Sequence, residues 1–415
     1  MTHDPKTYRF FLMTVDPVHV GTGGARLGRV DNPIVREPGT NLPKIPGSSL
    51  HGVIRTYAAH RYGKPQCAGQ GQEREGREGH CGRPTCPICY TFGYARDREG
   101  GRAGVVAIGD ARILLFPVYS MVGPVWVTSP SALYAAGFGE QDAAKNLQPF
   151  SVDKNDEGKA RWNFPAKQHL NLGWLMVNRE DSLPFSPNDL PNEIPQQIRN
   201  RVVLVSDKLF SQIVNSNLEV RTSVAINPET GAAEEKALFT YEAIPRSTVL
   251  WMDVVVSNYR KAFPSHNKVV SWWNAMKKDW GQEIPKEYPQ EKREAIENAL
   301  PRLREAGFHL PQAIPSSDEE QANFWKSFKS ALLGLKTDAT RYQETNLQWE
   351  KPLDVIQASL EWTEHLGVGG MGTRGFGRIR KLTVCPVKAN ETLDSPCPNE
   401  DDAHGGTEDT EVSSP

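Results

Sequence analysis

The chain has 415 residues, of which 38% are hydrophobic, with 35 glycines, 31 prolines and a net charge of −2. That length accommodates one elaborated domain or two, and the glycine and proline content points to many turns. No run of about 18 apolar residues exists, so no membrane-spanning helix is expected, and "MTHDPKTYRFF" at the start lacks the basic-then-apolar form of a signal peptide, which points to the cytoplasm.

In chain order, "TYRFFLMTVDPVHV" (7–20) reads as a strand rich in aromatic and β-branched residues. The stretch "HVGTGGARLGRVDNPIVREPG" follows: a glycine-rich basic loop, then one acid, Asp31, set before Asn32 and Pro33 between Arg29 and Arg36. In "PGSSLHGVIRTYAAHRYG", Leu50, Val53, Ile54, Tyr57 and Ala58 follow helical spacing, with Ser48 or Ser49 as cap and Gly63 closing the helix. Residues 64–104 form a polar loop with four cysteines, and "AGVVAIGDARILLFPVY" reads as one or two strands. "VRTSVAINPETGAAEEKALFTYEAI" reads as a β-hairpin turning at Asn227–Gly231. Residues 264–340 look helical; one helix opens with a capping box from Ser317 to Glu320 and buries Phe324, Phe328, Ala331, Leu332 and Leu335. A helix near Pro352–His365 leads into "GVGGMGTRGFGRIRKL" and a last strand. From 391 to 415 there are eight acids and no Lys or Arg, a tail read as disordered; without it 48 basic residues face 42 acidic ones, and the body is mildly basic, which permits nucleic-acid binding. Strand, helix, strands, helix, strand is an α+β plan of ferredoxin-like type over 1–390, with the cysteine loop (64–104), the hairpin and the helices at 264–340 as insertions.

Cys67, Cys81, Cys86 and Cys89 are spaced C-x13-C-x4-C-x2-C. Four thiolates suit a closed tetrahedral Zn²⁺ site, which would order a loop with almost no apolar residues. The alternatives are disulfides, disfavoured in the cytoplasm, or unrelated thiols; His80 can also replace one thiolate. Cys385 and Cys397 stand apart and read as incidental. "GVGGMGTRGFG" (367–377) has six glycines, with Arg374 within it and Arg378 just after. Such a loop can bring backbone amides against phosphates, although alone it is more often a tight connection. Asp31 has three roles open to it: an ion pair with Arg29 or Arg36, a turn cap before Pro33, or a ligand for a divalent ion or a hydroxyl beside a phosphodiester. His19 at a strand end is either structural or a phosphate partner.

Taken together, "DNPIVREPGTNLPKIPGSSLHGVIR" and "GGMGTRGFGRI" resemble the N-terminal signature and C-terminal glycine loop of RAMP-superfamily CRISPR proteins. "GDARILLFPVYSMVGPVWVTSPSAL" and "ALFTYEAIP" are similar to the backbone subunit, the fourth, of type III-B (Cmr) effectors. The resemblance implies an RRM-like core with a thumb hairpin at about 218–246, and copies stacked into a filament along a CRISPR RNA with other type III effector subunits. It implies cleavage of guide-paired target RNA by Asp31 with Mg²⁺ or another divalent ion. It also implies RNA contacts from His19, Arg29, Arg36, Ser48, Ser49, Arg55, Gly369, Gly370, Thr373 and Arg374. The four-cysteine loop departs from that subunit's pattern and is similar to zinc knuckles of other type III backbone subunits. A non-catalytic RNA-binding scaffold of the same fold, and a zinc-stabilised protein-interaction module, are the competing readings.

Overall fold

The computed structural model describes residues 4–23, 30–69, 79–95, 100–138, 158–166, 168–281 and 283–387. Arg29, most of the first glycine loop (24–28), parts of the cysteine loop (70–78 and 96–99) and the acidic tail 391–415 lie outside the described residues. The strands in chain order are β1 (Lys6–Thr14), β2 (Lys44–Ile45), β3 (Gly93–Tyr94), β4 (Arg102–Ala103), β5 (Val106–Ile108), β6 (Ala111–Val118), β7 (Val125–Thr128), β8 (Lys159–Arg161), β9 (His169–Leu172), β10 (Leu175–Asp181), β11 (Val202–Leu204), β12 (Glu219–Ile226), β13 (Ala233–Ala243), β14 (Val249–Val256) and β15 (Ile379–Val387). The fold is mixed α+β, and the chain alternates between two compact units: Met1–Lys6, Gly47–Ile108 and Val254–Thr363 make unit 1, and Thr7–Pro46, Gly109–Asp253 and Glu364–Pro415 make unit 2.

Unit 2 is built on a mixed sheet in the order β15-β1-β14-β6-β7-β11-β8-β10-β9, to which β14 contributes its first half. β1 and β15 run antiparallel from Thr7↔Val387 to Thr14↔Ile379, whereas β7–β11 and β8–β10 are parallel. The strand expected at 7–20 stops at Thr14, just ahead of Pro17, which has no amide hydrogen to donate to a ladder. Phe11, Leu114, Leu115, Val249 and Trp251 lie in its buried core. Cys385, expected to be incidental, is buried on β15. The predicted hairpin is present as a separate two-stranded sheet: β12 pairs β13 from Glu219↔Ala243 to Ile226↔Ala233. Its turn is local chemistry, since the Asn227 carboxamide oxygen accepts from the amides of Glu229 (2.8 Å) and Thr230 (3.3 Å).

Unit 1 is mostly helical. The helix Gly47–Arg61 buries Leu50, Ile54 and Ala58 as expected, but it begins at Gly47, so Ser48 and Ser49 occupy its first turn and not the cap. The stretch 264–340 resolves into His266–Trp280, Arg293–Glu305 and Asp318–Thr345, the last of which buries the five apolar residues predicted for it. The Ser317 hydroxyl donates to the Glu320 carboxylate (2.9 Å) and caps no backbone amide, so the predicted capping box is replaced by a bond between its two side chains. Trp325 stacks on Phe328, with Trp280 against both.

A buried ion pair ties this helical layer to the cysteine loop. Lys64 and Asp338 face each other with side chains only 2% and 0% exposed, and the Thr85 hydroxyl donates to the second Asp338 oxygen (2.6 Å). Burial pushes the Asp338 carboxyl above its usual range while Lys64 pulls it back. Removing one partner strands a buried charge, so Asp338→Ala is expected to lower unfolding stability by about 3–5 kcal/mol, read from denaturant titration of the full chain.

Candidate functional site

The strand β13 gathers most of the residues singled out in unit 2. Residues 31–36 run beside its last turns: Asn32 N donates to Thr240 O (3.0 Å), and Glu242 N donates to Asn32 O (3.1 Å). This backbone pairing places the exposed Asp31 carboxylate over Thr240. Its Oδ2 accepts from the Thr240 amide (2.7 Å) and hydroxyl (2.9 Å), while the Asp31 amide donates to the same hydroxyl oxygen (3.2 Å). The backbone and side-chain hydrogen bonds from Thr240 hold the Asp31 carboxyl below the usual carboxylate range. Among the described residues it meets no cation, so the ion-pair reading with Arg36 is excluded.

Arg36 is engaged elsewhere. Its guanidinium donates to Glu242 Oε2 (2.9 Å), Asn215 Oδ1 (2.9 Å) and Ile34 O (3.0 Å), so it braces the loop that carries Asp31. His19 is buried, with Nδ1 2.6 Å from the Glu242 carbonyl oxygen, and is likewise structural in position. Thr240 and Glu242 were not singled out from sequence. Their signal lay in "ALFTYEAI", where period-two alternation sets Leu238, Thr240 and Glu242 on one face and Phe239, Tyr241 and Ala243 on the other.

The two faces differ in fate. Tyr241 and Ala243 pack against Phe376 of the second glycine loop, with Phe239 and Met371 alongside. The opposite face carries Val220 and Val224 and, exposed at 66%, Leu238; Ile226, at 61%, stands near the turn. The second glycine loop is zipped onto residues 17–19: Gly370 N donates to His19 O (3.0 Å) and Gly377 N to Pro17 O (2.8 Å). Gly369 (φ +88°) and Gly377 (φ +92°) are required by this packing, because a Cβ at either would strike the His19 or Val368 carbonyl oxygen. Part of the glycine content is therefore a tight connection. Beyond it, Thr373 and Arg374 are exposed on a short turn (Gly372–Arg374). Arg378, by contrast, is held by Asp16 (2.5 and 3.0 Å).

In unit 1 the four cysteines converge, with one sulfur from each lying within 4.8 Å of all the others. The sulfurs of Cys67 and Cys86 are 3.9 Å apart, and those of Cys81 and Cys89 are 3.7 Å apart, too far for disulfide bonds. The set can hold a metal ion. His80 does not replace a thiolate: its Nε2 lies 2.9 Å from the Arg55 guanidinium and 3.2 Å from Gly69 O. Arg55, expected to contact RNA, is instead buried and donates to Cys67 O (2.8 Å), so it shapes the cysteine loop. Lys64 Nζ stands 3.7 Å from Cys81 Sγ. Burial alone would push that ammonium down, but the Cys86 sulfur and Asp338 hold it above its ordinary value. Ser48 is exposed and Ser49 half-buried on their helix.

The model of the RAMP superfamily matches residues 11–310. Over 262 residues the chain is 29% identical to the CRISPR system Cmr endoribonuclease Cmr4 of Pyrococcus furiosus, covering 61% of this chain and 82% of that protein. A shorter match, 46% over 46 residues, is to the CRISPR system Cms endoribonuclease Csm3 of Mycobacterium tuberculosis and covers 11% of this chain and 20% of that protein. Of solved structures, a type III-B Cmr-beta chain in the apo state aligns at 15% identity with a TM-score of 0.44, over 60% of this chain and 84% of that one.

Proposed function

The chain belongs to the RAMP superfamily, and from that premise we propose that it is a CRISPR RNA-binding filament subunit of a type III-B effector that cleaves guide-paired target RNA at regular intervals. The observation that carries this reading is the exposed, ionised Asp31 carboxylate fastened to the hairpin by Thr240. The hairpin is the thumb: its apolar side chains Val224, Ile226 and Leu238 are suited to wedging between base pairs. Unstacking a target nucleotide bends its phosphodiester and brings the ribose 2′-hydroxyl in line with phosphorus, a positioning effect. The 2′-oxygen then attacks as its proton passes to water, the P–O5′ bond breaks with water protonating the leaving 5′-oxygen, and a 2′,3′-cyclic phosphate and a 5′-hydroxyl remain.

Asp31 is a weak proton acceptor at neutral pH, because its hydrogen bonds favour the charged form. The role that suits it is electrostatic: orienting the hydroxyl and holding a divalent ion. Oδ2 is engaged by Thr240, which leaves Oδ1 for Mg²⁺, an ion that takes one or two carboxylates together with phosphate oxygens and water. Such an ion would supply charge neutralisation at the scissile phosphate. The cysteine set fits Zn²⁺: tetrahedral thiolates at a Zn–S distance of about 2.3 Å stand about 3.8 Å apart, in keeping with the observed 3.7–3.9 Å. This zinc is structural, since protein sulfur fills every position.

The same proposal reads 1–390 as one elaborated RRM-like body. The order β15-β1-β14-β6, with helices following β1 and preceding β15, supports a ferredoxin-like core. Ser48, Ser49, Gly369, Gly370, Thr373 and Arg374 line the guide, and its backbone, not its bases, is what they contact, because pairing carries the sequence. The partners are the guide, the target, further copies of this chain and other effector subunits in the cytoplasm. Among the described residues no helix is long and apolar enough to cross a membrane.

RNA extracted from the native complex tests the proposal. One fixed-length class with a common 5′ handle is expected, and a heterogeneous pool would overturn it. A second expected result concerns Thr240→Val, which keeps the shape and removes the hydroxyl bond to Asp31. Cleavage should fall by about tenfold, in line with the loss of one preorganised hydrogen bond. The carboxyl pKa should rise toward its ordinary value, so the acidic limb of the pH–rate profile moves to higher pH.

A further inference from the structure

The cysteine loop and the helical insertion form a second concave surface inside unit 1, a cleft of about 900 Å³ that the reaction above leaves unused. Five cations line it, Arg83, Arg102, Arg260, Lys261 and Lys268, against one acid, Glu305. None of the five forms an ion pair among the described residues. In a smaller cleft of unit 2, by contrast, Lys44 is held by Glu37 and Asp110, both at 2.7 Å. An unbalanced cluster in a concave wall concentrates positive potential and attracts a polyanion.

Flat rings alternate with the cations. Tyr94 lies directly opposite Arg102 in the β3–β4 register. Lys268 and Trp272 are one turn apart on the helix His266–Trp280, both lining the cleft. The Arg260 guanidinium sits 4.2 Å over the Tyr90 ring and donates to Tyr90 O (2.8 Å), while its Nε is buried without an acceptor. Cations interleaved with half-exposed rings suit single-stranded nucleic acid, whose phosphates follow the charges and whose bases stack without sequence preference. An acidic peptide would answer the charges and leave the rings without a role.

We propose that this cleft binds a short single-stranded RNA segment, at a site separate from Asp31 and the glycine loops. The proposal stands on the cleft's own lining and survives whether or not Asp31 cuts. Because Cys89 and Gly82 form part of the wall, the metal-ordered loop is what shapes it.

The test uses the full-length protein and fluorescein-labelled oligouridylate and oligoadenylate, with anisotropy measured across a potassium chloride series. Lys261→Glu/Lys268→Glu changes two exposed side chains outside the packed core. It is expected to weaken both oligonucleotides by about tenfold or more and to reduce the log K against log salt slope by about 1.4, the value for two single-strand phosphate contacts. Cross-linking with 4-thiouridine RNA should place adducts on Tyr94 or Trp272. Unchanged affinity and slope, with adducts confined to residues 17–36, 219–243 and 367–377, would overturn the site. Displacement by polyglutamate at lower concentration than by oligouridylate would assign the cleft to an acidic protein segment and overturn RNA. Displacement by uridine monophosphate as readily as by the oligomer would assign it to a free nucleotide. Arg374→Ala serves as the control for the first site: its loss of guide binding, with Lys261→Glu/Lys268→Glu unaffected, separates failure of this inference from failure of the proposed function.

Discussion

Target RNA complementary to the guide is expected to remain essentially uncut when Asp31 is replaced by alanine, with the rate falling by about 10²–10⁴-fold. The side chain is exposed and, among the described residues, bonds only to Thr240, so its removal opens no cavity and unpairs no buried charge. Guide binding, assembly and melting temperature should therefore stay at the parent value, which separates a chemical loss from a folding loss. Asp31→Asn sharpens the argument. The amide keeps the volume and one acceptor oxygen but carries no charge. If Asp31 acts through charge, asparagine is as inactive as alanine; if it acts only as a hydrogen-bond acceptor, asparagine retains much of the rate. Cleavage at the parent rate by Asp31→Ala with Mg²⁺ in excess would remove Asp31 from the reaction. Target RNA retained intact by the unaltered complex would favour the scaffold reading.

Loss of the metal should have the largest effect on stability. Structural zinc contributes apparent binding energies of about 10–16 kcal/mol in small zinc-binding peptides, and part of that is folding energy of whatever the ion orders. Here the loop it orders also encloses Arg55 and Lys64, two buried cations that the cysteine thiolates offset. Withdrawing the ion leaves either repelling thiolates or neutral thiols beside the buried Arg55 guanidinium, with Asp338 as the remaining counter-charge to Lys64. Cys86→Ser/Cys89→Ser, or prolonged chelation, is expected to lower the melting temperature by about 10 °C or more. Metal analysis of the purified chain should give one zinc per chain, and less than about half an equivalent would count against the closed site.

What could be read from sequence was local. The Asn227 turn and the apolar face of Asp318–Thr345 depend on neighbours a few residues apart and the cysteine cluster on one short stretch of chain, and each came together as expected. The direction in which a cation points is not local. Nothing near Arg36 and Arg55 in sequence reveals Glu242 or the Cys67 carbonyl as their partners. Asp31 was legible as a solitary carboxylate on a polar loop. Its anchor was not, since Thr240 lies 209 residues away and is recruited only when 31–36 runs beside β13. Ser317 shows the same limit on a small scale: the right residue marks the helix start, but a neighbouring carboxylate captures its hydroxyl before the backbone can.

Thr240 also joins two parts that another architecture would keep apart. The blade is pinned by hydrogen bonds to a strand of the spreader, so neither can drift far relative to the other. On the proposed reading, the pitch between successive hairpins in a stack of subunits is at once the pitch between successive carboxylates. The ladder of fragment lengths is then a dimension of the assembly, indifferent to transcript sequence, and it should change only when the spacing of the stack itself is altered.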